Sequence, residues 1–413
     1  MIEESEKLKS TAEDKAARLA DRLVPYTLGG TALTYALTRN ITKTLAVLMV
    51  DFSCALKLAI PIAVLSAMRE SSGHHISVKG GRFLEAVARA DTIVFDKTGT
   101  LTHATPTVAQ VVPFGGRKEA EMLRLAACLE EHYPHSIANA VVEEAKKRGL
   151  SHEEYHSQVQ YVVAHGISSM VEGKKVLIGS AHFVFEDEGC HVPVGEEDKF
   201  AALPAEYSHL YLCIAGELAA VICIHDPLRR EARAAVAALH ECGFTNVVMM
   251  TGDNRKTAEA VAAEVGVDAV YAEVLPEDKA AFIHKQREQG HTVIMVGDGV
   301  NDSPALSEAD AGIAISTGAA IAREIADITI ASEDLFALVT LRRLGEGLMR
   351  RIHRNYRFIV GFNFSLIVLG AAGILPPTTS ALLHNMSTLG ISLRSMTDLL
   401  PDGEQPKGLP AHE

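Results

Sequence analysis

Thr92-Ile93-Val94-Phe95-Asp96-Lys97-Thr98-Gly99-Thr100-Leu101-Thr102 is an apolar, β-favouring run that stops at a carboxylate followed by a lysine, three hydroxyls and a glycine. The run predicts a buried strand. The residues after it supply the groups that surround a phosphoryl group: an acid able to act as nucleophile, a cation, and backbone amides exposed by a glycine turn. Asp96 is the candidate phosphate acceptor. For an isolated Asp the plainer reading is an acidic turn after a buried strand, and three downstream motifs weigh against it.

The strand pattern Val247-Val248-Met249-Met250 runs into Thr251-Gly252-Asp253-Asn254, where a hydroxyl and a glycine amide can hold phosphoryl oxygens. Pro276-Glu277-Asp278-Lys279 carries a helix-start signal and can aim one ammonium at the same group. Val293-Ile294-Met295-Val296 runs into Gly297-Asp298-Gly299-Val300-Asn301-Asp302, two carboxylates on a glycine-rich turn that suit hard, oxygen-bound Mg²⁺. Strand, loop and helix alternate throughout, which predicts a parallel sheet with every one of these groups at carboxyl ends of strands.

Composition narrows the class. The chain has 413 residues, enough for two or three domains, and a net charge of −13, without a basic stripe interleaved with aromatics; a nucleic-acid surface is disfavoured. Its six cysteines form no Cys-x-x-Cys pair and no secretory signal opens the chain, so the soluble ones read as reduced cytosolic thiols.

Apolar residues are unevenly placed. Leu45 to Met68 is nearly continuously apolar over about 24 residues, long enough to cross a bilayer as one helix. Val24 to Leu37 reads as a first arm, Phe358 to Leu375 as a third span, Pro376-Pro377 as a turn and Ala381 to Leu393 as the return. The expected layout is a connector helix (1–22), a transmembrane hairpin (23–68), a first catalytic segment (69–107), an insertion (108–225), a second catalytic segment (226–340), a connector and second hairpin (341–400) and a tail (401–413). The cluster Arg342, Arg343, Arg350, Arg351, Arg354 and Arg357 before the third span puts the soluble block in the cytosol. In the insertion, helical periodicity over Lys118–Leu129 and Ser136–Arg148 precedes a hairpin, Ile167–Val171 and Lys174–Ile178, turned by Glu172-Gly173; this is an α+β pattern.

Asp96 to Thr102 coincides with the phosphorylation signature of P-type ATPases, and the order of motifs resembles their phosphorylation domain, of the haloacid dehalogenase-like fold. The resemblance covers nearly the whole chain and implies a multi-domain α/β protein with membrane helices. By that likeness ATP phosphorylates Asp96; Mg²⁺ is held by Asp96, the Thr98 carbonyl and Asp298; Lys279 and Thr251 neutralise the moving phosphoryl group; and Asp302 supports the metal. Lys97, Thr98, Gly252 and Asp253 complete the catalytic set. The fold's phosphatases carry a general acid and base where this chain has Thr98, which cannot activate water, so the aspartyl phosphate is expected to persist.

The insertion resembles the nucleotide-binding domain of the heavy-metal branch. His135 aligns with its His-Pro segment, with Ser136 in place of the proline; Glu130 matches the acidic adenine-side position, and Gly166 the second glycine of a Gly-x-Gly turn. An ordinary His at a helix start stays open. In the membrane, Phe52-Ser53-Cys54 stands where the branch carries Cys-Pro-Cys. Asp51, Ser53, Cys54, Asn363 and His384 are the candidate ligands of the transported ion, a donor set that favours Zn²⁺ or Mn²⁺ over Cu⁺. The competing reading pairs Asp51 and His384 with each other or with lysine inside the bundle. Family members carry an upstream actuator domain with a Thr-Gly-Glu loop, a tripeptide this sequence lacks, which leaves open a separately encoded actuator half as a partner or a truncated gene. The resemblance implies an integral protein of the bacterial plasma membrane that exports a transition-metal cation at the expense of ATP. The alternative is a membrane-anchored phosphotransferase-like or metal-binding partner protein without transport.

Overall fold

The computed structural model describes residues 10–103, 105–132, 136–150, 156–162, 166–204, 207–298, 302–315, 324–332 and 334–401. The chain divides into two units, Asp91–Ala326 and a second made of Met1–Ala90 with Asp327–Glu413.

In the first unit five parallel strands lie in the order Ala311–Ile315, Val293–Gly297, Thr92–Asp96, Asn246–Met250, Ala269–Tyr271. Thr92–Asp96 is central, and all five of its residues are buried. Strands covered on both faces need apolar residues at every position, which is why these segments show no alternation. One face packs Val94, Val248, Met250, Val293 and Met295 against Ile283 and Leu306 from helices Pro276–Glu288 and Ser303–Glu308. Pro276 occupies the first helical turn, and Asp278 accepts the Leu275 amide at 3.2 Å, so this helix begins where its start signal lies.

The same unit holds a six-stranded antiparallel sheet ordered Thr107–Pro113, Glu217–His225, Ser208–Ile214, Lys174–Gly179, Gly166–Val171, His156–Val162. Helices Glu119–Glu130 and Ser136–Lys147 belong to one apolar layer, through Leu123, Leu129 and Val141; Phe114, Phe183, Val184 and Tyr211 form another. Glu172 (φ 50°) and Gly173 (φ 76°) both sit at positive φ, the type I′ geometry of a two-residue hairpin.

The second unit is mainly helical. Ser10 and Glu13 cap helix Thr11–Thr38 reciprocally, at 3.0 and 2.8 Å, and this single helix runs through both the expected connector and the first arm. The expected continuous helix from Leu45 to Met68 is instead two, Ile41–Leu48 and Phe52–Gly73. The break has a local cause. Asp51 is extended (φ −114°, ψ 133°), and its two carboxylate oxygens accept the amides of Ser53 at 2.9 Å and Cys54 at 3.1 Å, restarting the helix. Helix Phe336–Ala372 comes next among the long helices, ending at Gly373 with φ 81°, and Pro377 opens Pro377–Ser395.

Two segments, Ile41–Gly73 and Phe336–Ala372, are long and apolar enough to span a membrane; at 37 residues the second is about 55 Å long. Among the described residues, all the large exposed apolar side chains except Met170, Val194 and Tyr271 lie on this unit's helices or their short connections, among them Tyr26, Leu28, Leu33, Leu65, Phe364, Leu382 and Leu393. An apolar surface of that extent on helices of spanning length is one that lipid covers.

Helix Gly81–Arg89 packs on the long helix through backbone. Buried Arg342 donates to the carbonyls of Val87 and Ala90, capping the shorter helix's end. A Cβ on Gly345 would lie 2.7 Å from the Leu84 carbonyl oxygen and 3.2 Å from Ala88 Cβ, whereas one on Gly361 would meet nothing within 4 Å. Gly345→Val is therefore expected to cost about 1–3 kcal/mol through overpacking. Gly361→Ala is expected to be neutral or to stabilise by about 0.5–1 kcal/mol through helix propensity. Thermal unfolding of the two variants in detergent checks the contrast.

Candidate active site

Strand register assembles the site before any side chain is considered. Asp96 is level with Met250 on one neighbouring strand, and Phe95 with Val296 on the other, so Thr251 and Asp298 come one step beyond the sheet on either side of Asp96. The turn after Asp96 has Thr98 at φ −75°, ψ 126° and Gly99 at φ 76°, ψ −6°, a type II turn whose third residue needs glycine. Thr102 closes it: its hydroxyl accepts the Gly99 amide at 3.0 Å, and its own amide donates to the Lys97 carbonyl at 3.2 Å.

Three charged side chains meet at the strand end. The Lys279 ammonium donates to Asp96 Oδ1 at 2.6 Å and to Asp302 Oδ1 at 2.7 Å, with all three residues buried. Burial pushes the Asp96 carboxyl up, Lys279 pulls it down, and Asp302 and Asp298 push it up again; the balance stands at about 7. The two carboxylates in turn hold Lys279 protonated well above the usual lysine range against the penalty of burial. Asp302 Oδ2 is buried, with no hydrogen-bond partner among the described residues, and a Cβ on Gly297 would come within 2.5 Å of it. An orphaned carboxylate oxygen in an all-oxygen donor set fits a hard cation such as Mg²⁺.

Lys97 is occupied elsewhere. Its buried ammonium pairs with Asp253 and donates to Ser208 Oγ at 2.9 Å, so it ties the catalytic turn to the Thr251 loop and to the antiparallel sheet. Burial works against the Asp253 charge, and Lys97 beside it more than compensates, leaving that carboxyl below its usual range. Thr251 donates its hydroxyl to Asp253 Oδ2 at 3.1 Å and accepts the Asp253 amide at 3.2 Å; Gly252 lies between them on the same loop.

Two residues of the site were not singled out in the sequence. Arg229, buried, donates through Nε to the carbonyls of Thr100 at 2.8 Å and Thr102 at 3.1 Å, bracing the turn from behind. Both oxygens of Asp226 are buried, and burial pushes its carboxyl up against the pull of the Thr102 hydroxyl and of Lys97. The available signal was His225-Asp226-Pro227-Leu228-Arg229, an acid and a base flanking a proline directly after the apolar strand Leu218–Ile224.

Of the expected nucleotide contacts, Glu130 is buried as the last residue of helix Glu119–Glu130. Gly166 opens its strand so close to the Ile178 carbonyl that a Cβ has no room, a packing need that operates with or without a ligand. His135 lies outside the described residues.

In the helical unit, the Asn363 side chain donates through Nδ2 to the Asp51 carbonyl at 3.2 Å, while its Oδ1 is 3.2 Å from His384 Nδ1. Because that amide oxygen can only accept, His384 Nδ1 carries the proton and a neutral ring keeps a lone pair at Nε2. Asn363 and His384 are buried; Ser53 is half-buried, and Cys54 is exposed. Among the described residues no three His, Cys, Asp or Glu converge as a ready-made metal site.

Residues 90–310 match the family model described as haloacid dehalogenase-like hydrolase. The chain is 35% identical over 407 residues to the copper-exporting P-type ATPase of Bacillus subtilis (strain 168), covering 96% of this chain and 50% of that protein. It is 34% identical over 402 residues to the zinc-exporting P-type ATPase of Mycobacterium marinum, covering 95% and 54%. Among solved structures it is similar to a zinc-transporting PIB-type ATPase in its E2.Pi state, with a TM-score of 0.63, 28% identity, and coverage of 91% of this chain and 62% of that one. Homology to heavy-metal P-type ATPases thus extends over almost the whole chain, which spans about half the length of the curated relatives it matches.

The raised Asp96 carboxyl makes stability depend on pH with a definite sign. The folded state holds a proton there from ~4, where the unfolded acid releases it, up to about 7, so this group's contribution to stability falls as pH rises through that window. Asp96→Asn protein should gain thermal stability relative to the wild type as pH increases from ~4 to ~7. A difference in Tm that stays flat with pH would show that the carboxyl is not raised.

Proposed function

We propose that this chain, which belongs to the haloacid dehalogenase-like hydrolases, is the phosphoryl-accepting and membrane portion of an ATP-driven exporter of a transition-metal cation. The observation that carries the reading is one buried ammonium shared by two acids at the carboxyl end of the central strand. In the step, an Asp96 carboxylate oxygen attacks the terminal phosphorus of ATP, the bond to the bridging oxygen breaks, and ADP leaves with that electron pair. Lys279 neutralises charge on the acid in the resting site and on the phosphoryl oxygens as they arrive. Mg²⁺ would be held by Asp96, the Thr98 carbonyl and Asp298, with Asp302 in support, and supplies further charge neutralisation when bound. Thr98 cannot act as a base, so this chain's own residues form the acyl phosphate without supplying a group to hydrolyse it.

Lys97 has a clamping part in this scheme, because its charge is already spent on Asp253. Thr251 and Gly252 offer a hydroxyl and an amide to the phosphoryl group, and Glu130, His135 and Gly166 mark the nucleotide side of the antiparallel domain. Asp51, Ser53, Cys54, Asn363 and His384 would receive the exported ion. Their carboxylate, imidazole and amide oxygens with a single thiol favour Zn²⁺ or Mn²⁺ over Cu⁺. A second reading, in which Asp51 merely serves the fold as a helix cap, has its own observation: both of its oxygens accept helix amides. The large unit is cytosolic in this scheme, with the Arg-rich stretch before the last two helices on the same side. Neither the relatives nor the fold point to a separately encoded actuator half.

Purified protein given terminally radiolabelled ATP and Mg²⁺ should acquire a hydroxylamine-labile label that Asp96→Asn protein does not. Lys279→Met should slow labelling by about 10²–10³-fold, the usual cost of losing one preorganised charge at a reacting centre. Label on the Asp96→Asn protein would overturn the assignment. For the ion site, Cys54→Ala and His384→Ala should each weaken metal-stimulated labelling from ATP while sparing labelling from inorganic phosphate. Equal loss in both assays would favour a packing role.

A further inference from the structure

The long helix carries a second charged feature that the reaction at Asp96 does not use. Arg350, His353, Arg354 and Arg357 recur at intervals of three and four along Phe336–Ala372 and so share one face, and all are exposed. With Arg89, at the end of helix Gly81–Arg89, they line a concavity of about 750 Å³. Glu346 is the one acid among the described residues of its lining, and its carboxylate already serves Arg342 at 3.1 Å and Arg350 at 3.3 Å. Arg89 pairs with Glu85 and Arg350 with Glu346, so the charge left for an anion to balance is that of Arg354 and Arg357, beside two further guanidiniums on the same concavity.

Position along the helix identifies the anion. Phe358 is half exposed, Phe364 and Val368 lie beyond it on the exposed surface, and from there the helix is a spanning segment. Arg350 to Arg357 therefore occupy about 10 Å of helix immediately before the apolar sheath, the depth at which lipid phosphates lie. We propose that this concavity binds the phosphate-bearing headgroup of an anionic phospholipid, with Arg89, Arg350, Arg354 and Arg357 as the recognising groups. The proposal rests on the membrane placement of Phe336–Ala372 and is independent of phosphoryl transfer at Asp96.

The test is native mass spectrometry of the full chain in detergent, titrated with phosphatidylglycerol or phosphatidylcholine. One phosphatidylglycerol should bind in preference to phosphatidylcholine. The R354Q/R357Q double variant should weaken that binding about thirtyfold, at about 1 kcal/mol for each arginine near the membrane surface. The R343Q/R394Q variant removes the same charge outside the concavity and should retain wild-type binding. Equal loss in both double variants would mean diffuse attraction by basic flanks and would overturn the site. Displacement of the lipid by millimolar inorganic phosphate would make this a free-anion site and would overturn the lipid assignment. Labelling of Asp96 from ATP, followed in the same variants, separates a failure here from a failure of the proposed pump chemistry.

Discussion

One ammonium between two carboxylates is the constraint that organises the catalytic unit. Lys279 comes from the first turn of a helix, Asp96 from the end of the central strand, and Asp302 from the residue before another helix. None of the three charges could be buried alone at tolerable cost, and together they leave a net single negative charge beside Asp298. Burial is the main reason that Asp96 is held up near neutrality, with Asp302 and Asp298 adding to it against the pull of Lys279, and the spare oxygen of Asp302 suits the cation proposed there. Electrostatic need and fold are satisfied by the same contact, since the lysine reaches both acids only if helix and strands are in register.

A second pair works in parallel. Lys97 and Asp253 neutralise one another next to the first cluster, and Ser208 brings the antiparallel sheet into the same network. A lysine adjacent to the acceptor invites a phosphate-binding role from the sequence; in the structure its ammonium pairs with Asp253 and donates to Ser208. Arg229 gathers backbone carbonyls of the turn that carries Thr98, so the chain itself braces that turn.

How much of this was legible depends on the range of the interactions. Strand ends, the helix start at Pro276 and the Glu172-Gly173 turn depend on neighbours in sequence, and the structure places them within a residue or two of their signals. The partner of Lys97 depends on a residue 156 positions away and the role of Arg229 on one more than 125 away; no local pattern encodes either. The apolar stretch from Leu45 shows the opposite error. Hydropathy read it as one helix, because a single aspartate hardly changes an average over about twenty residues, yet one aspartate suffices to break a helix by capping it.

That break reshapes the reading of the membrane site. Where the heavy-metal branch carries a proline between two cysteines, this chain interrupts the helix by a different device: the Asp51 carboxylate takes the amides of Ser53 and Cys54, and the Asp51 carbonyl is left to accept from Asn363. Each carboxylate oxygen still has a second lone pair, so capping does not remove Asp51 as a ligand. The hydrogen-bond chain from the Asp51 carbonyl through Asn363 to His384 also fixes which ring nitrogen stays open. In the ion site proposed above, oxygen and imidazole donors organised in this way, with one thiol on the exposed side, would suit a borderline or hard divalent cation better than a soft monovalent one.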